Sequence, residues 1–331
     1  MNGLKDESAS KGLCCLLVTD AQHDFCEGAL PAPGGLPVVQ RIAETLRRLK
    51  PRSSRPVQKP SDPDSEACNS GSAKNADCCR EITSDEIIER ISSPSGAAEG
   101  SKQQTDPESW CDVVVYSLDW HPPDHVSFLS SHSAKCVHSV CVCGDASLSP
   151  AAQQAASAVV DEAVSSLGLE KNWTVVVPPS TCSEKAAPAV VCLWPPHCVQ
   201  NTPGSKLHRE IEVHRGDFAV FKGGNSSTEC FSACGTANMP TGLVPLLKSM
   251  GVATIAVCGF CLDFCVSETA MGLRAAGFAD VVVLTDLTAA IHRDKERETM
   301  DHLVSQGIRC LTLIEFTKER RALSTEPTVD A

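Results

Sequence analysis

Several short segments of the sequence carry residues that could transform a small molecule. Asp20 follows the apolar run 13–19 and opens the segment DAQHDF, and Lys222 ends the apolar run FAVFK. Cys265 lies in GFCLDFCV, between an apolar run and a helical pattern. At the start of a helix, backbone N–H groups and the helix dipole would stabilise a thiolate or an oxyanion. Taken alone, Asp20 is as typical of a helix cap, and Lys222 of an exposed strand end.

One aspartate and two histidines form a candidate metal site. Asp119 and His121 are two residues apart in DWHPPDH, so in an extended chain both side chains point to the same side. His197 lies in WPPHC, where prolines stiffen the turn. Such a mixed oxygen and nitrogen site with open positions suits zinc, iron or manganese. Solvated polar residues are an equal alternative for DWHPPDH by itself.

The cysteines of CGFCLDFC allow two other interpretations. Their spacing resembles part of an iron–sulfur ligand run, but the fourth cysteine and the terminal proline of that run are missing. The second interpretation is packing as small apolar side chains, and it suits Cys258. The chain has 19 cysteines, an odd number, and no export signal is visible. We therefore expect mostly reduced thiols in a cytoplasmic protein, with a nuclear location left open.

The elements that would position these residues alternate between strands and helices. Apolar runs predict strands at 13–19, 112–118, 218–221, 252–258, 280–284 and 308–313. Amphipathic patterns predict helices at 36–49, 240–250, 265–276 and 294–306. This alternation predicts an α/β fold, with a three-layer, doubly wound and mostly parallel sheet. The candidate residues would then follow strand ends that meet at one edge of the sheet.

Two long insertions interrupt this alternation. Residues 51–109 are rich in serine and proline, and we expect a disordered, low-complexity insertion. Its exception is a capping box at 83–86, which predicts a short helix. Residues 133–188 predict a second, partly helical insertion, with a helix at 150–167 that Ser149 caps and Gly168 follows.

The rest of the chain predicts a single domain over residues 12–317, with flexible tails at 1–11 and 318–331. Because long surface loops cost little free energy, we expect deletion of 55–105 to leave activity within a few-fold. Deletion of 140–185 is expected to lower activity or destabilise the fold.

Composition excludes several classes of partner. The chain has 29 Lys and Arg residues against 41 Asp and Glu, which gives a net charge of -12. This charge argues against binding to nucleic acid or to anionic membranes. An apolar run of about 18 residues, which a membrane span needs, is absent from the sequence. The sequence therefore favours a small-molecule enzyme, and assembly into a homo-oligomer is left open.

The order of the motifs resembles that of nicotinamidases in the isochorismatase-like cysteine hydrolase superfamily. The matching segments are DAQHDF (20–25), DWHPPDHVSF (119–128), WPPHCVQNTPGS (194–205), FKGGNSSTECFSA (221–233) and GFCLDFCVSETA (259–270). The resemblance includes neither insertion. The pairing of DWHP with WPPHC is specific, since relatives without a metal differ there.

The resemblance implies a catalytic triad. Cys265 matches the nucleophile, Asp20 the acid and base, and Lys222 the third member. The oxyanion would lie on the backbone N–H groups of Cys261 and Cys265, beside a cis peptide that joins Phe260 to Cys261. A small aliphatic residue is common in the family where Cys261 stands, so a second thiol lies near the nucleophile here.

The resemblance also implies binding residues. The ligands of one divalent metal ion, with zinc expected and iron or manganese as alternatives, would be Asp119, His121 and His197. The residues that line a ring pocket would be Phe25, Trp194 and Phe231. Glu229 matches an acidic position that reaches the metal through water, and His125 follows the motif without being a direct ligand.

The activity that the resemblance implies is hydrolysis of nicotinamide to nicotinate and ammonia through a cysteine thioester, in NAD salvage. A related hydrolase of another small amide would not need the metal ligands. A non-catalytic binding protein on the same fold would not need the triad. Redox sensitivity of the two neighbouring thiols is a further property that the sequence leaves open.

Overall fold

A computed structural model describes residues 12–49, 78–82, 91–92, 110–131, 141–142, 175–177 and 191–325. The strands in these ranges are β1 (Leu13–Thr19), β2 (Cys78–Glu81), β3 (Val113–Asp119), β4 (Cys141–Val142), β5 (Val175–Val177), β6 (Val191–Cys192), β7 (Phe218–Lys222), β8 (Gly235–Thr236), β9 (Met239–Pro240), β10 (Val252–Phe260), β11 (Asp280–Ala289) and β12 (Arg309–Leu311). The helices with described bounds are α1 (His23–Cys26), α2 (Gly35–Arg48), α3 (Leu243–Ser249), α4 (Ser267–Ala275), α5 (Glu296–Ser305) and α6 (Leu313–Thr325). A π-helical turn, Leu262–Val266, leads directly into α4.

A seven-stranded sheet forms the centre of the protein, in the order β12-β11-β10-β1-β3-β7-β2. The six strands from β12 to β7 pair in parallel, and β2 pairs antiparallel with β7. Every residue of β3 is buried, which is typical of a parallel strand covered on both faces. The predicted α/β fold with a mostly parallel sheet is confirmed.

Helices cover both faces of the sheet, because alternate residues of each strand point to opposite sides. In β1, Leu16 belongs to the core cluster that includes Ile42 of α2 and Phe316 of α6. Its neighbour Leu17 belongs to the other cluster, which includes Leu273 of α4 and side chains of α3 and α5. The result is the three-layer arrangement that the strand–helix alternation predicted.

The carboxyl ends of the central strands bring the candidate residues to one edge. Asp20 directly follows β1, and Asp119 and Lys222 are register partners at the ends of β3 and β7. Thr19 at the end of β1 pairs with Gly259 of β10, and the turn that contains Cys265 follows that strand. Residues from four distant segments therefore meet at one site.

The first insertion contains a folded edge, so the prediction of disorder over 51–109 is wrong for residues 78–82 and 91–92. There β2 extends the sheet, and both Ile82 and Ile91 are fully buried. The sequence of β2, CCRE, has no apolar alternation. This segment is a strand because it pairs with β7, so the sequence pattern gave no sign of it. Deletion of 55–105 would remove this edge, which argues against the expected tolerance of that deletion. The capping box at 83–86 lies outside the described residues.

The second insertion and the C-terminus also differ from the prediction. Two short strands within 133–188, β4 and β5, form a three-stranded sheet with β6. The helix expected at 150–167 lies outside the described residues. Helix α6 continues through 318–325, so the predicted domain boundary at residue 317 is wrong. Phe316 of α6 is fully buried and packs edge-on against Trp110, with ring centroids 5.4 Å apart.

Among the helices of the described ranges, none has both the length and the apolar character that crossing a lipid bilayer requires.

Candidate active site

Three buried side chains, Asp20, Lys222 and Cys265, form what we call the lysine cluster. The Lys222 ammonium nitrogen Nζ lies 2.8 Å from Asp20 Oδ2 and donates to Cys265 Sγ at 3.4 Å. It also donates a short hydrogen bond to Asp119 Oδ1. Both Lys222 and Asp20 are completely inaccessible to solvent. The structure thus brings together the three residues predicted as a catalytic triad.

Burial and charge act in opposite directions on the pKa values around Lys222. Burial alone would lower the pKa of Lys222, but the carboxylates of Asp119 and Asp20 raise it well above its ordinary value. The ammonium group therefore stays charged. Burial would raise the pKa of Asp119, but Lys222 and His121 hold it well below its usual range. For Asp20, burial prevails over the opposing effect of Lys222, and the pKa is raised.

The two oxygens of the Asp20 carboxylate differ in their hydrogen bonds. Ser117 Oγ donates to Asp20 Oδ1 at 2.6 Å. The other oxygen, Oδ2, is buried and accepts no well-aligned hydrogen bond from the described residues, despite its closeness to Lys222. A carboxylate oxygen of Asp20 and the Cys265 sulfur lie within 4.8 Å of each other. Because its pKa is raised, Asp20 is suited to accept and return a proton.

Cys265 lies in the π-helical turn that precedes α4, so the helical conformation begins three residues earlier than the predicted start at Cys265. Burial raises the pKa of the Cys265 thiol well above its ordinary value, and Lys222 offsets only part of that effect. The structure therefore does not support the expectation that the helix start alone stabilises a Cys265 thiolate. The thiol needs a base, which Asp20 can supply.

The loop before Cys265 has the backbone form that the resemblance implied. The peptide bond between Phe260 and Cys261 is cis. The backbone N–H groups of Phe264 and Val266 donate to the carbonyl oxygen of Cys261. Both Cys261 and Cys265 line the same cavity.

A second group, Asp119, His121 and His197, forms what we call the histidine cluster. Their potential ligand atoms all lie within 4.8 Å of one another, and all three residues are buried. The Nδ1 atom of His121 is 2.9 Å from the carbonyl oxygen of Gly223, and Nδ1 of His197 is 2.9 Å from that of Pro195. When Nδ1 donates to a carbonyl, Nε2 keeps its lone pair, which is the usual arrangement of metal-binding histidines.

The charge states of Asp119 and His197 suit a cation, and His121 would bind one only after the loss of its proton. Burial and the neighbouring His121 lower the pKa of His197 to about 4, so this imidazole is neutral near neutral pH. Burial alone would lower the pKa of His121, but the Asp119 carboxylate raises it. Asp119 is ionised, since its pKa is held low. One carboxylate and two imidazoles therefore fit a divalent ion such as zinc, iron or manganese.

His125 and Glu229, the two positions that the resemblance places near the metal ligands, lie beside His121. Their potential ligand atoms and those of His121 lie within 4.8 Å of one another. The His125 ring packs on the His121 ring with centroids 4.1 Å apart. Its Nδ1 is 2.7 Å from Ser127 Oγ and its Nε2 is 3.2 Å from the carbonyl oxygen of Thr228. Both ring nitrogens of His125 are thus engaged by protein groups.

A small cavity joins the two clusters, and the three predicted ring-pocket residues line it. Its walls include Phe25, Trp194, Phe231, Leu30, Phe264 and Ile291, together with the histidine cluster, Glu229, Cys261 and Cys265. Phe264 packs edge-on against Trp194 at 5.2 Å and lies 5.5 Å from Phe231, between ring centroids. Sequence reasoning missed Phe264, although it directly precedes Cys265. Leu30 and Ile291 lie outside the motifs, and nothing in the sequence indicated that they line the cavity.

A family model and several curated relatives match this chain. The family model described as the isochorismatase domain matches residues 137–315, which include Lys222 and Cys265. A nicotinamidase of Acinetobacter baylyi is 26% identical over 200 residues, which are 60% of this chain and 73% of that relative. A nicotinamidase/pyrazinamidase of Mycobacterium tuberculosis is 35% identical over 116 residues, which are 35% of this chain and 61% of that relative.

A solved structure shares the fold. The yeast nicotinamidase bound to the inhibitor nicotinaldehyde superimposes with a TM-score of 0.54 and 19% identity, over 91% of this chain and 100% of that one. The family model, in turn, covers more than half of the present sequence. The chain therefore belongs to the isochorismatase family.

Proposed function

We propose that this protein hydrolyses nicotinamide to nicotinate and ammonia through a thioester on Cys265. The observation that carries the proposal is the buried contact of the lysine cluster beside a cavity that the histidine cluster also lines. The similarity to nicotinamidases of Acinetobacter baylyi and Mycobacterium tuberculosis supports the choice of substrate. The product nicotinate would serve NAD salvage.

The reaction begins with a proton transfer inside the lysine cluster. Asp20 Oδ2 accepts the thiol proton of Cys265, and Sγ attacks the carboxamide carbon of nicotinamide. Lys222 remains protonated because two carboxylates raise its pKa. Its ammonium group lies 2.8 Å from Asp20 and 3.4 Å from Cys265, so it offsets negative charge on either group during the transfer.

The tetrahedral intermediate places its oxyanion against the backbone N–H groups of Cys261 and Cys265. Asp20 then returns the proton to the leaving nitrogen, the C–N bond breaks and ammonia departs, which leaves a thioester. Water attacks the thioester carbon while Asp20 takes one of its protons. The C–S bond breaks, the Cys265 sulfur is protonated again, and nicotinate is released.

The histidine cluster orients the substrate in this proposal. A zinc ion held by Asp119, His121 and His197 would offer an open coordination position to the ring nitrogen of nicotinamide. Glu229 and His125 lie next to these ligands and support them. The aromatic side chains of Phe25, Trp194 and Phe231 contact the faces and edges of the ring.

The direct test is product formation by the purified chain. We expect ammonia and nicotinate to appear in equal amounts from nicotinamide, measured by a coupled ammonia assay and by chromatography. Absence of both products from zinc-supplemented protein would contradict the proposal. Hydrolysis of other small amides with no turnover of nicotinamide would favour a related hydrolase instead.

A further inference from the structure

Two buried polar side chains next to Asp20 have no part in the chemistry described above. Gln22 is fully buried and Asp24 is 8% exposed, although both belong to the short segment that joins β1 to α1 and continues into that helix. Burial of an amide and a carboxylate is costly unless their polar atoms are paired. The hydrogen-bond partners of these two side chains therefore indicate which parts of the site they stabilise.

Gln22 fixes the backbone of Asp119 from both sides. Its Oε1 accepts from the Asp119 N–H at 2.8 Å, and its Nε2 donates to the Asp119 carbonyl oxygen at 2.8 Å. The same Nε2 donates to the carbonyl oxygen of Ser205 at 2.8 Å. These bonds hold the backbone of Asp119 in the position from which its carboxylate reaches the two histidines.

Asp24 performs the corresponding task for the histidine loops. Its Oδ2 accepts from the N–H of Cys198, the residue after His197, at 2.8 Å. Its Oδ1 accepts from the N–H of Ala29 at 3.0 Å. The carbonyl oxygen of Cys198 in turn accepts from the N–H of His121 at 3.1 Å. One carboxylate thus anchors Cys198, the residue whose backbone connects the two histidines.

Two glycines leave room for this carboxylate. A Cβ added to Gly204 or to Gly28 would overlap the Asp24 side chain. The loops on both sides are therefore shaped around the carboxylate, and a methyl group at Gly204 would displace it without removing it.

We infer that Gln22 and Asp24 are positioning residues for the histidine cluster, an inference that rests on the proposed metal-assisted function. Gln22 acts through Asp119, and Asp24 acts through Cys198 on His197 and His121. Residues that orient metal ligands through hydrogen bonds contribute about 10- to 100-fold to metal affinity. The same segment that supplies Asp20 to the lysine cluster therefore also holds the geometry of the histidine cluster.

The test measures zinc affinity of the full chain by competition with a chromophoric chelator, without nicotinamide. We expect Asp24→Asn and Gln22→Glu each to weaken zinc binding by about 10- to 100-fold. The matched control is His23→Ala, which removes the side chain between them; His23 is partly exposed and lies 3.7 Å from Glu27. We expect its zinc affinity to stay within about twofold of wild type. In steady-state kinetics, KM for nicotinamide should rise more than kcat falls in the first two variants.

Melting curves of the metal-free variants show whether each one folds. If Asp24→Asn or Gln22→Glu does not fold, Gly204→Ala replaces it, and we expect zinc binding at least about tenfold weaker there too. Unchanged zinc affinity in the folded variants, or no zinc binding by wild type, would overturn the inference. A wild-type protein that binds zinc but releases no ammonia would instead refute the proposed function and leave this inference standing.

Discussion

The lysine and histidine clusters lie at the same edge of the sheet but are held in different ways. In the lysine cluster, side chains contact one another directly, with Lys222 Nζ 2.8 Å from Asp20 Oδ2 and 3.4 Å from Cys265 Sγ. In the histidine cluster, backbone carbonyl groups of Gly223 and Pro195 engage the Nδ1 atoms of the two imidazoles. The first arrangement can move a proton between side chains. The second holds lone pairs in place and suits a bound ion.

This difference separates chemistry from orientation. Changes in the lysine cluster should act on kcat, because proton transfer and nucleophilic attack occur there. Changes in the histidine cluster should act mainly on KM, because a displaced ring is bound less well. The hydrogen bond from Lys222 to Asp119 joins the two clusters, so Lys222 is the residue whose loss should affect both.

Replacement of the nucleophile should have the largest effect. We expect Cys265→Ala to lower kcat by at least about 10⁴-fold, because no thioester can form. Binding of nicotinate, measured by calorimetry, should persist because the histidine cluster is intact. The control Cys310→Ala changes a cysteine of β12 outside the cavity and should keep its kcat. Ammonia release by Cys265→Ala at a rate near wild type would show that the nucleophile is assigned to the wrong residue.

Loss of the shared charge comes second. Lys222→Met would leave the buried carboxylates of Asp20 and Asp119 without their common partner, and we expect the free energy of unfolding to fall by about 3–5 kcal/mol. Urea denaturation measures this change. Lys248→Met, which removes an ammonium group 5.9 Å from the Phe278 ring centroid, should cost about 1 kcal/mol or less. If the free energy of unfolding falls equally in the two variants, the buried ion pairs of Lys222 contribute no more to stability than the Lys248 contact does.

A change confined to the histidine cluster should have a smaller effect. We expect His197→Ala to lose zinc and to raise KM for nicotinamide by about 10²-fold, because the ring is no longer oriented. Metal analysis and steady-state kinetics measure the two effects. His302→Ala in α5 serves as the control and should change neither. Full zinc occupancy in His197→Ala would exclude this residue as a ligand.

The smallest effect is expected from removal of residues that belong to neither cluster. Deletion of residues 55–75 leaves β2, Ile82 and Ile91 in place, and we expect kcat/KM to stay within a few-fold of wild type because loop length costs little. A loss greater than about tenfold would show that this segment acts on one of the clusters, and a KM-against-kcat split would show which one.

Much of the site was predictable because its residues stand at recognisable places in the sequence. Asp20, Asp119 and Lys222 each close an apolar run, and strands buried on both faces appear in sequence as such runs. Because these strands pair in parallel, their carboxyl ends lie at the same edge of the sheet, which the sequence pattern also predicts. The spacing of Asp119 and His121 and the proline-bounded His197 indicated one ligand set, and the structure brings the three side chains together.

The remaining features depend on contacts between distant segments. β2 is a strand because it pairs with β7, and its own residues, CCRE, carry no strand pattern. Helix α6 buries Phe316 against Trp110, a partner about two hundred residues earlier in the chain, where short-range periodicity carries little signal. The pKa of the Cys265 thiol is raised by burial, and the local sequence does not specify how deeply a residue is buried. For the same reason, Leu30 and Ile291 could not be assigned to the cavity wall.

The most direct test of the separation between the clusters compares nicotinamide with benzamide, which lacks the ring nitrogen. The value of kcat/KM is measured for both amides with zinc-loaded protein and after removal of the metal by a chelator. We expect the preference for nicotinamide to fall by at least about tenfold on metal removal, while slow hydrolysis of benzamide by the lysine cluster continues. A preference that does not change on metal removal would contradict an orienting role for the histidine cluster. Complete loss of hydrolysis of both amides from folded, metal-free protein would contradict the assignment of the chemistry to the lysine cluster alone.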